Sequence, residues 1–348
     1  MEAVCVKAPS DRLDAAGRRE ERHIMAGEIA EQPEVLARLL ERGGPAIRAT
    51  GRAVAARRPR FVLFAARGSS AHAALYAKYL FEIELGLPCG LASMSTVTAY
   101  GASPRYADVL MVTVSQSGGS PDMVAFTRAA REAGATTVAV TNNPDSPLAE
   151  AAEHHVDVLA GPGKALPATK TYTADLLALH LLARGMRDQD GAEARALPEL
   201  AARVLARGDE VARLAERYRF AGRMVVTSRG YGLPTAREAA LKLMETSGMP
   251  VLAPSGADLL YGPLAVVDAV SPVIAIVTEG PGGDALQPVL DRLRGRGADL
   301  MVVGPASQAA AAPAGFALPS SGLPESLQPV LEILPLQQLA HAVAARRD

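Results

Sequence analysis

The sequence predicts an α/β protein of two tandem αβα halves, each a central parallel sheet flanked by helices. Three observations carry this. Short apolar, β-branched-rich runs alternate with helical patterns, as expected for a parallel sheet covered on both faces. The runs at 61–66 and 109–114 pass straight into small polar loops that open helices. The order strand, small-polar loop, helix then returns from residue 223, which suggests an internal duplication.

Residues 1–44 form a helical lead-in: 1–22 polar and loose, 23–43 helical and interrupted by Pro33. The first half covers 45–195. Its strands are expected at 61–66, 109–114, 136–141 and 154–159, with helices at 71–84 and from 120, and a long helix from Thr169 to Arg187. An alanine- and charge-rich helical connector occupies 196–219. The second half, 220–348, has strands at 223–227, 270–278 and 300–303. Its helices are placed at 234–247, 284–296 and, terminally, from Pro335.

The stretch with most chemical content is 109–121, where an apolar strand runs into Ser115-Gln116-Ser117-Gly118-Gly119-Ser120-Pro121. Free backbone N–H groups and the positive end of the following helix favour an anion above such a loop. Ser120 suits the N-cap and Pro121 the first helical position. Arg67-Gly68-Ser69-Ser70 repeats the device, and Ser228-Arg229-Gly230 resembles it in the second half. The alternative is an ordinary capped loop. In open parallel sheets, loops at the C-terminal strand ends hold the ligand.

Composition narrows the class. Of 348 residues 49% are hydrophobic, enough for large cores. Aromatics are 4% without Trp, and 36 basic residues face 37 acidic ones. Neither base stacking nor an electrostatic footprint for nucleic acid or membrane is expected. Cys5 and Cys89 lack metal-type spacing, and no apolar span or leader is evident, so a cytoplasmic protein without metal or cofactor is expected.

Further segments carry a resemblance: Glu28-Ile29-Ala30-Glu31-Gln32-Pro33, Gly68-Ser69-Ser70, Ser115-Gln116-Ser117-Gly118, Ala168-Thr169-Lys170-Thr171-Tyr172-Thr173, Glu238 to Glu245, Gly262-Pro263 and Pro335-Leu336-Gln337. In number, order and spacing they resemble the double sugar-isomerase (SIS) domain proteins. Among these are the isomerase half of glutamine–fructose-6-phosphate aminotransferase and the SIS-type glucosamine-6-phosphate deaminases. The resemblance implies that Gly68, Ser70, Ser115, Gln116, Ser117 and Ser120 hold a sugar phosphate, while Thr169 and Lys170 help close the site. It makes Glu245 the base that moves a proton between C1 and C2. Lys242 and Glu238, one and two turns earlier, share much of its face, and a cation there would stabilise an enediol-like oxyanion. The alternative for Glu238 and Lys242 is a surface i,i+4 pair.

The chain departs from the family at its ring-opening loop, Asp258-Leu259-Leu260-Tyr261-Gly262-Pro263. Tyr261 replaces a histidine and Leu260 a lysine. Histidine titrates near neutrality, whereas tyrosine ordinarily does so near pH 10, so Tyr261 suits hydrogen-bond donation better than proton shuttling. Gly163 stands where relatives carry a glutamate, and no counterpart of the glutaminase domain or of the covering C-terminal tail is expected. His72, beside the first loop, reads as a helix-surface or packing residue rather than a substitute acid. The expected function is therefore an amino-sugar or keto-sugar 6-phosphate isomerase or deaminase, with Tyr261 and Lys242 assisting Glu245. The alternative is a non-catalytic sugar-phosphate sensor. The resemblance also implies a homodimer whose site is completed by the neighbouring subunit.

Overall fold

The computed structural model describes residues 15–347. Cys5 and most of the expected loose lead-in lie outside the described residues. From Ala15 the chain is helical, however, so residues 15–22 are not a loose segment.

The first half contains β1 (Phe61–Ala66), β2 (Cys89–Leu91), β3 (Val109–Ser115), β4 (Thr136–Thr141) and β5 (His154–Asp157), all parallel, in the order β2-β1-β3-β4-β5. The second contains β6 (Met224–Thr227), β7 (Val251–Leu252), β8 (Pro272–Ile276), β9 (Asp299–Gly304) and β10 (Ala314–Ala317). Read from the other edge, its order is β7-β6-β8-β9-β10, the same topology again. The duplication read from sequence is thus present in the strand order itself.

Helices cover both sheets: α1 (Ala15–Ala30), α2 (Gln32–Arg38), α3 (Gly44–Ala56), α4 (Gly68–Leu80), α5 (Pro121–Glu132), α6 (Lys170–Met186), α7 (Leu197–Leu205), α8 (Gly208–Glu216), α9 (Gly232–Ser247), α10 (Gln287–Gly295) and α11 (Gln328–Arg347). The interruption expected at Pro33 is a boundary between two helices: Pro33 lies at the start of α2, where its missing N–H costs nothing. Pro335, expected to open the last helix, lies inside α11. Residues 328–337 are almost wholly buried against α9 and α7, and this packing carries the helix through the proline. Among the described residues no helix is long and apolar enough to cross a membrane.

β3 and β4 are buried along nearly their whole length, as strands covered on both faces should be. α6 is buried from Lys170 to Gly185; α4 and α11 pack on it, and α9 packs on both of them. This central helical layer joins the two halves into one core.

Candidate functional site

The connection from β1 runs to β2 on one side, and β3 lies on the other. The loops after β1 and β3 therefore flank the point where strand order reverses, the usual ligand crevice of an open α/β sheet. A cavity of about 270 Å³ opens there. It is lined by Arg67, Ser69 and Ser70 from the first loop, and by Ser115, Gln116, Ser117 and Ser120 from the second. Thr171, Tyr172 and Asp175 of α6 and Glu245 of α9 complete the wall.

The loop after β3 needs its glycine. Gly118 has φ +63°, and a Cβ there would lie 2.2 Å from Ser146 Oγ. The tight turn lets the Gly118 N–H donate to Ser115 Oγ (3.3 Å) and the Gly119 N–H to Ser117 Oγ (3.3 Å). Ser120 occupies the N-cap position of α5 in extended conformation, but its hydroxyl does not cap the backbone. It donates instead to Asp122 Oδ1 at 2.6 Å. Arg67 binds the other oxygen of Asp122 through Nε at 3.0 Å, joining the two helix starts. Burial works against the Asp122 charge, but the Ser120 hydroxyl and the Arg67 guanidinium hold its carboxyl below the usual range. Two helix N-termini and a set of hydroxyls around one cavity are groups that favour an anion.

At the other wall stands the α9 acid–base cluster. Lys242 is 0% exposed. Its Nζ lies 2.6 Å from Glu245 Oε2, 3.3 Å from Glu238 Oε1 and 3.1 Å from Ser69 Oγ. Glu238 is fully buried, with Oε2 2.8 Å from His72 Nδ1. Burial alone would push its proton affinity up; Lys242 and His72 outweigh that and keep it ionised below the usual glutamate range. The surface-pair alternative therefore fails: Glu238 and Lys242 form a buried relay, and only Glu245 reaches solvent, side-chain exposure 37%. His72 is more than a packing residue, because it closes this relay from α4.

Several expected site residues lie elsewhere. Gly68 opens α4 but does not line the cavity. Lys170 Nζ is held by Glu31 at 2.6 Å and Thr169 is fully buried beneath the site, so neither lines it. They act on the segment before α6, which Glu28 also ties down by accepting from the Lys164 and Ala165 N–H groups. The Glu28 to Gln32 stretch is thus an anchor for 164–173, with Gln32 bonded to Thr173 and Gln337. Tyr261 is 88% exposed and outside the cavity: the described chain does not bring it to Glu245. Gly163 packs under Gln116, where a Cβ would lie 2.4 Å from Nε2; the absent side chain is what lets the Gln116 amide lie there.

The second-half loop is not an open ligand loop. Ser228 is buried and donates to the Ile276 carbonyl at 2.7 Å. Glu325 sends Oε1 to the Gly282 N–H at 2.9 Å, so the protein's own carboxylate occupies the equivalent anion-favouring corner.

The SIS domain model matches residues 57–184 and 218–340, most of the chain. The chain belongs to the SIS domain family. It is similar to glutamine–fructose-6-phosphate aminotransferase [isomerizing] of Pseudomonas aeruginosa, at 33% identity over 95% of this chain and 57% of that protein. The counterpart in Halobacterium salinarum is 35% identical over 80% of this chain and 47% of the relative. This SIS protein therefore spans about half the length of the curated relatives it matches. Among solved structures, one from Silicibacter pomeroyi DSS-3, provisionally assigned as a phosphosugar isomerase, superposes with TM-score 0.84 at 32% identity, covering 93% and 98% of the two chains. The C-terminal domain of glucosamine-fructose-6-phosphate aminotransferase from Francisella tularensis gives TM-score 0.83 at 24% identity over 93% and 96%, a likeness of fold. Both SIS matches coincide with the two sheets, and the cavity lies in the first match with one wall from the second.

Proposed function

We propose that this SIS protein interconverts amino-sugar or keto-sugar 6-phosphates by proton transfer between C1 and C2, with or without deamination. The observation that carries this is the placement of the Glu245 carboxylate, 2.6 Å from buried Lys242, in the same cavity as the Ser115–Ser120 anion loop. The loop anchors the phosphoryl end, and the sugar chain spans toward α9. Glu245 takes the proton from one of the two carbons and returns it to the other. Lys242, already oriented by Glu238 and Ser69, stabilises the enediolate oxygen. Where the substrate carries a 2-amino group, the ketimine so formed at C2 is hydrolysed by water and ammonia leaves.

The resemblance supplies a completing subunit, and the exposure of Tyr261 agrees with that role. We infer a homodimer in which Tyr261 reaches the partner's sugar ring oxygen as a hydrogen-bond donor. Mixing inactive Glu245→Gln and Tyr261→Ala chains should restore part of the activity; failure to complement excludes the shared site.

The second reading, a sugar-phosphate sensor, is favoured by the position of Tyr261 outside the cavity. Incubation with glucosamine 6-phosphate, assaying ammonia and fructose 6-phosphate, separates the two. Turnover that falls on Glu245→Gln with binding retained supports catalysis, and unchanged turnover rejects Glu245 as the base. Thermal stabilisation by sugar phosphates without any turnover supports the sensor.

A further inference from the structure

The anion cavity has an acidic wall that its serine loops do not explain. Asp175, one turn after Thr171 on α6, is 2% exposed and lines the cavity with Ser70 and Ser115. Its Oδ1 has no hydrogen-bond partner among the described residues, and neither has the hydroxyl of Tyr172, which lines the same cavity. Buried polar atoms are rarely left unpaired, so two of them beside one cavity mark where a ligand supplies the partners.

The surrounding charges decide what Asp175 offers that ligand. The nearby basic side chains are engaged elsewhere: Lys170 with Glu31, Lys242 with Glu238 and Glu245, Arg67 with Asp122, and the His72 ring with Glu238. What reaches Asp175 from α9 is a second acid, Glu238, and Glu332 of α11 adds negative charge around Tyr172. Burial first, and Glu238 second, push the Asp175 carboxyl well above the usual aspartate range. That favours the neutral carboxyl, which is a hydrogen-bond donor. An ionised carboxylate in this position would repel a phosphoryl group, whereas the neutral acid hydrogen-bonds to it.

We propose that Asp175 is a further anion-binding residue of the site, donating from its neutral carboxyl to an oxygen of the bound phosphoryl group beside the Tyr172 hydroxyl. This rests on the sugar-phosphate reading of the cavity. It makes affinity proton-linked: once Asp175 ionises, the anion is expelled, and affinity falls up to about tenfold per pH unit beyond that point. The serine loops alone give no such dependence.

The test is calorimetric titration of wild type, Asp175→Asn and Asp175→Ala from pH 6 to 9. The probes are glucitol 6-phosphate, which has no carbonyl and cannot isomerise, and inorganic sulfate, whose charge is constant over this range. Wild type is expected to bind both probes more weakly as pH rises, and wild-type affinity for sulfate that does not fall with pH overturns the assignment. Asp175→Asn, which keeps a donor without a titrating proton, should show little slope and bind more tightly than wild type at pH 9. Asp175→Ala should also lose the slope, and bind roughly 10- to 100-fold more weakly than wild type at pH 6. An Asp175→Asn protein that keeps the wild-type slope for sulfate overturns the assignment while leaving the sugar-phosphate reading standing, as does an Asp175→Ala protein that binds like wild type at pH 6. Wild type that binds glucitol 6-phosphate at no pH overturns both.

Discussion

Glu332 on α11 gives the protein a stability that should fall as pH rises. Its carboxyl is fully buried near the C-terminal end of the second sheet, with Thr235 Oγ1 3.5 Å from Oε2 and no partner for Oε1 among the described residues. Burial and the nearby Glu325 raise its pKa from 4.5 to about 7, against the opposing effect of the Thr278 and Thr235 hydroxyls. A carboxyl whose folded pKa is raised contributes its full stability below pH 4.5 and loses it as pH climbs to 7. At about 1.36 kcal/mol per pH unit, that interval amounts to about 3 kcal/mol. Glu332→Gln keeps the shape and the neutral form, so its stability relative to wild type should rise by up to this amount between pH 4.5 and pH 8. With an unfolding entropy of about 2.1 cal/mol/K per residue, a 348-residue chain unfolding as one unit would show a relative gain of about 4 °C. Scanning calorimetry of both proteins at half-unit pH steps measures it. A melting difference that does not change with pH would refute the reasoning, because it would place the ionisation of Glu332 outside the folded-state balance.

Three further outcomes follow from the site. Glu245→Gln should lower kcat by about 10²- to 10⁴-fold while leaving sugar-phosphate affinity within a fewfold, as read by steady-state kinetics beside calorimetry. Lys242→Met leaves Glu238 buried without its lysine, with only the His72 ring 2.8 Å away, and should destabilise the fold by about 3–5 kcal/mol in denaturant titration. Adding Glu238→Gln should recover a substantial part of that loss, and a double variant as unstable as the single one would contradict the buried-relay account. Gly118→Ala places a Cβ 2.2 Å from Ser146 Oγ in a left-handed backbone, so it should abolish thermal stabilisation by sugar phosphates while the melting temperature of the ligand-free protein falls by only a few degrees.

The strands that could be read from sequence are those with enough buried β-branched residues to leave a pattern. β4 falls on the expected 136–141, and β1 and β3 agree within a residue. The strands beside them that were not foreseen, β2, β7 and β10, have only three, two and four residues, and β2 and β10 are interrupted by Gly. They carry too little apolar pattern to signal themselves, and their place is fixed by pairing with neighbours already in the sheet. The same division runs through the site. The Ser115–Ser120 loop was legible because strand, loop and helix start are contiguous in sequence. The spacing Glu238, Lys242, Glu245 was legible as one helix face, yet that spacing is the same for an exposed ion pair and for a buried relay. What separates them is Ser69 and His72, more than 165 residues earlier, closing over Lys242 and Glu238 from α4. A local pattern can say that three charges share a face, but not whether another helix covers it. Here α4 does, and because α4 starts in the anion loop of the first half, one helix both points its N-terminus at the cavity and holds the relay that positions Glu245. Under the proposed function, that shared helix would keep a phosphoryl group at one wall in register with the Glu245 carboxylate at the other.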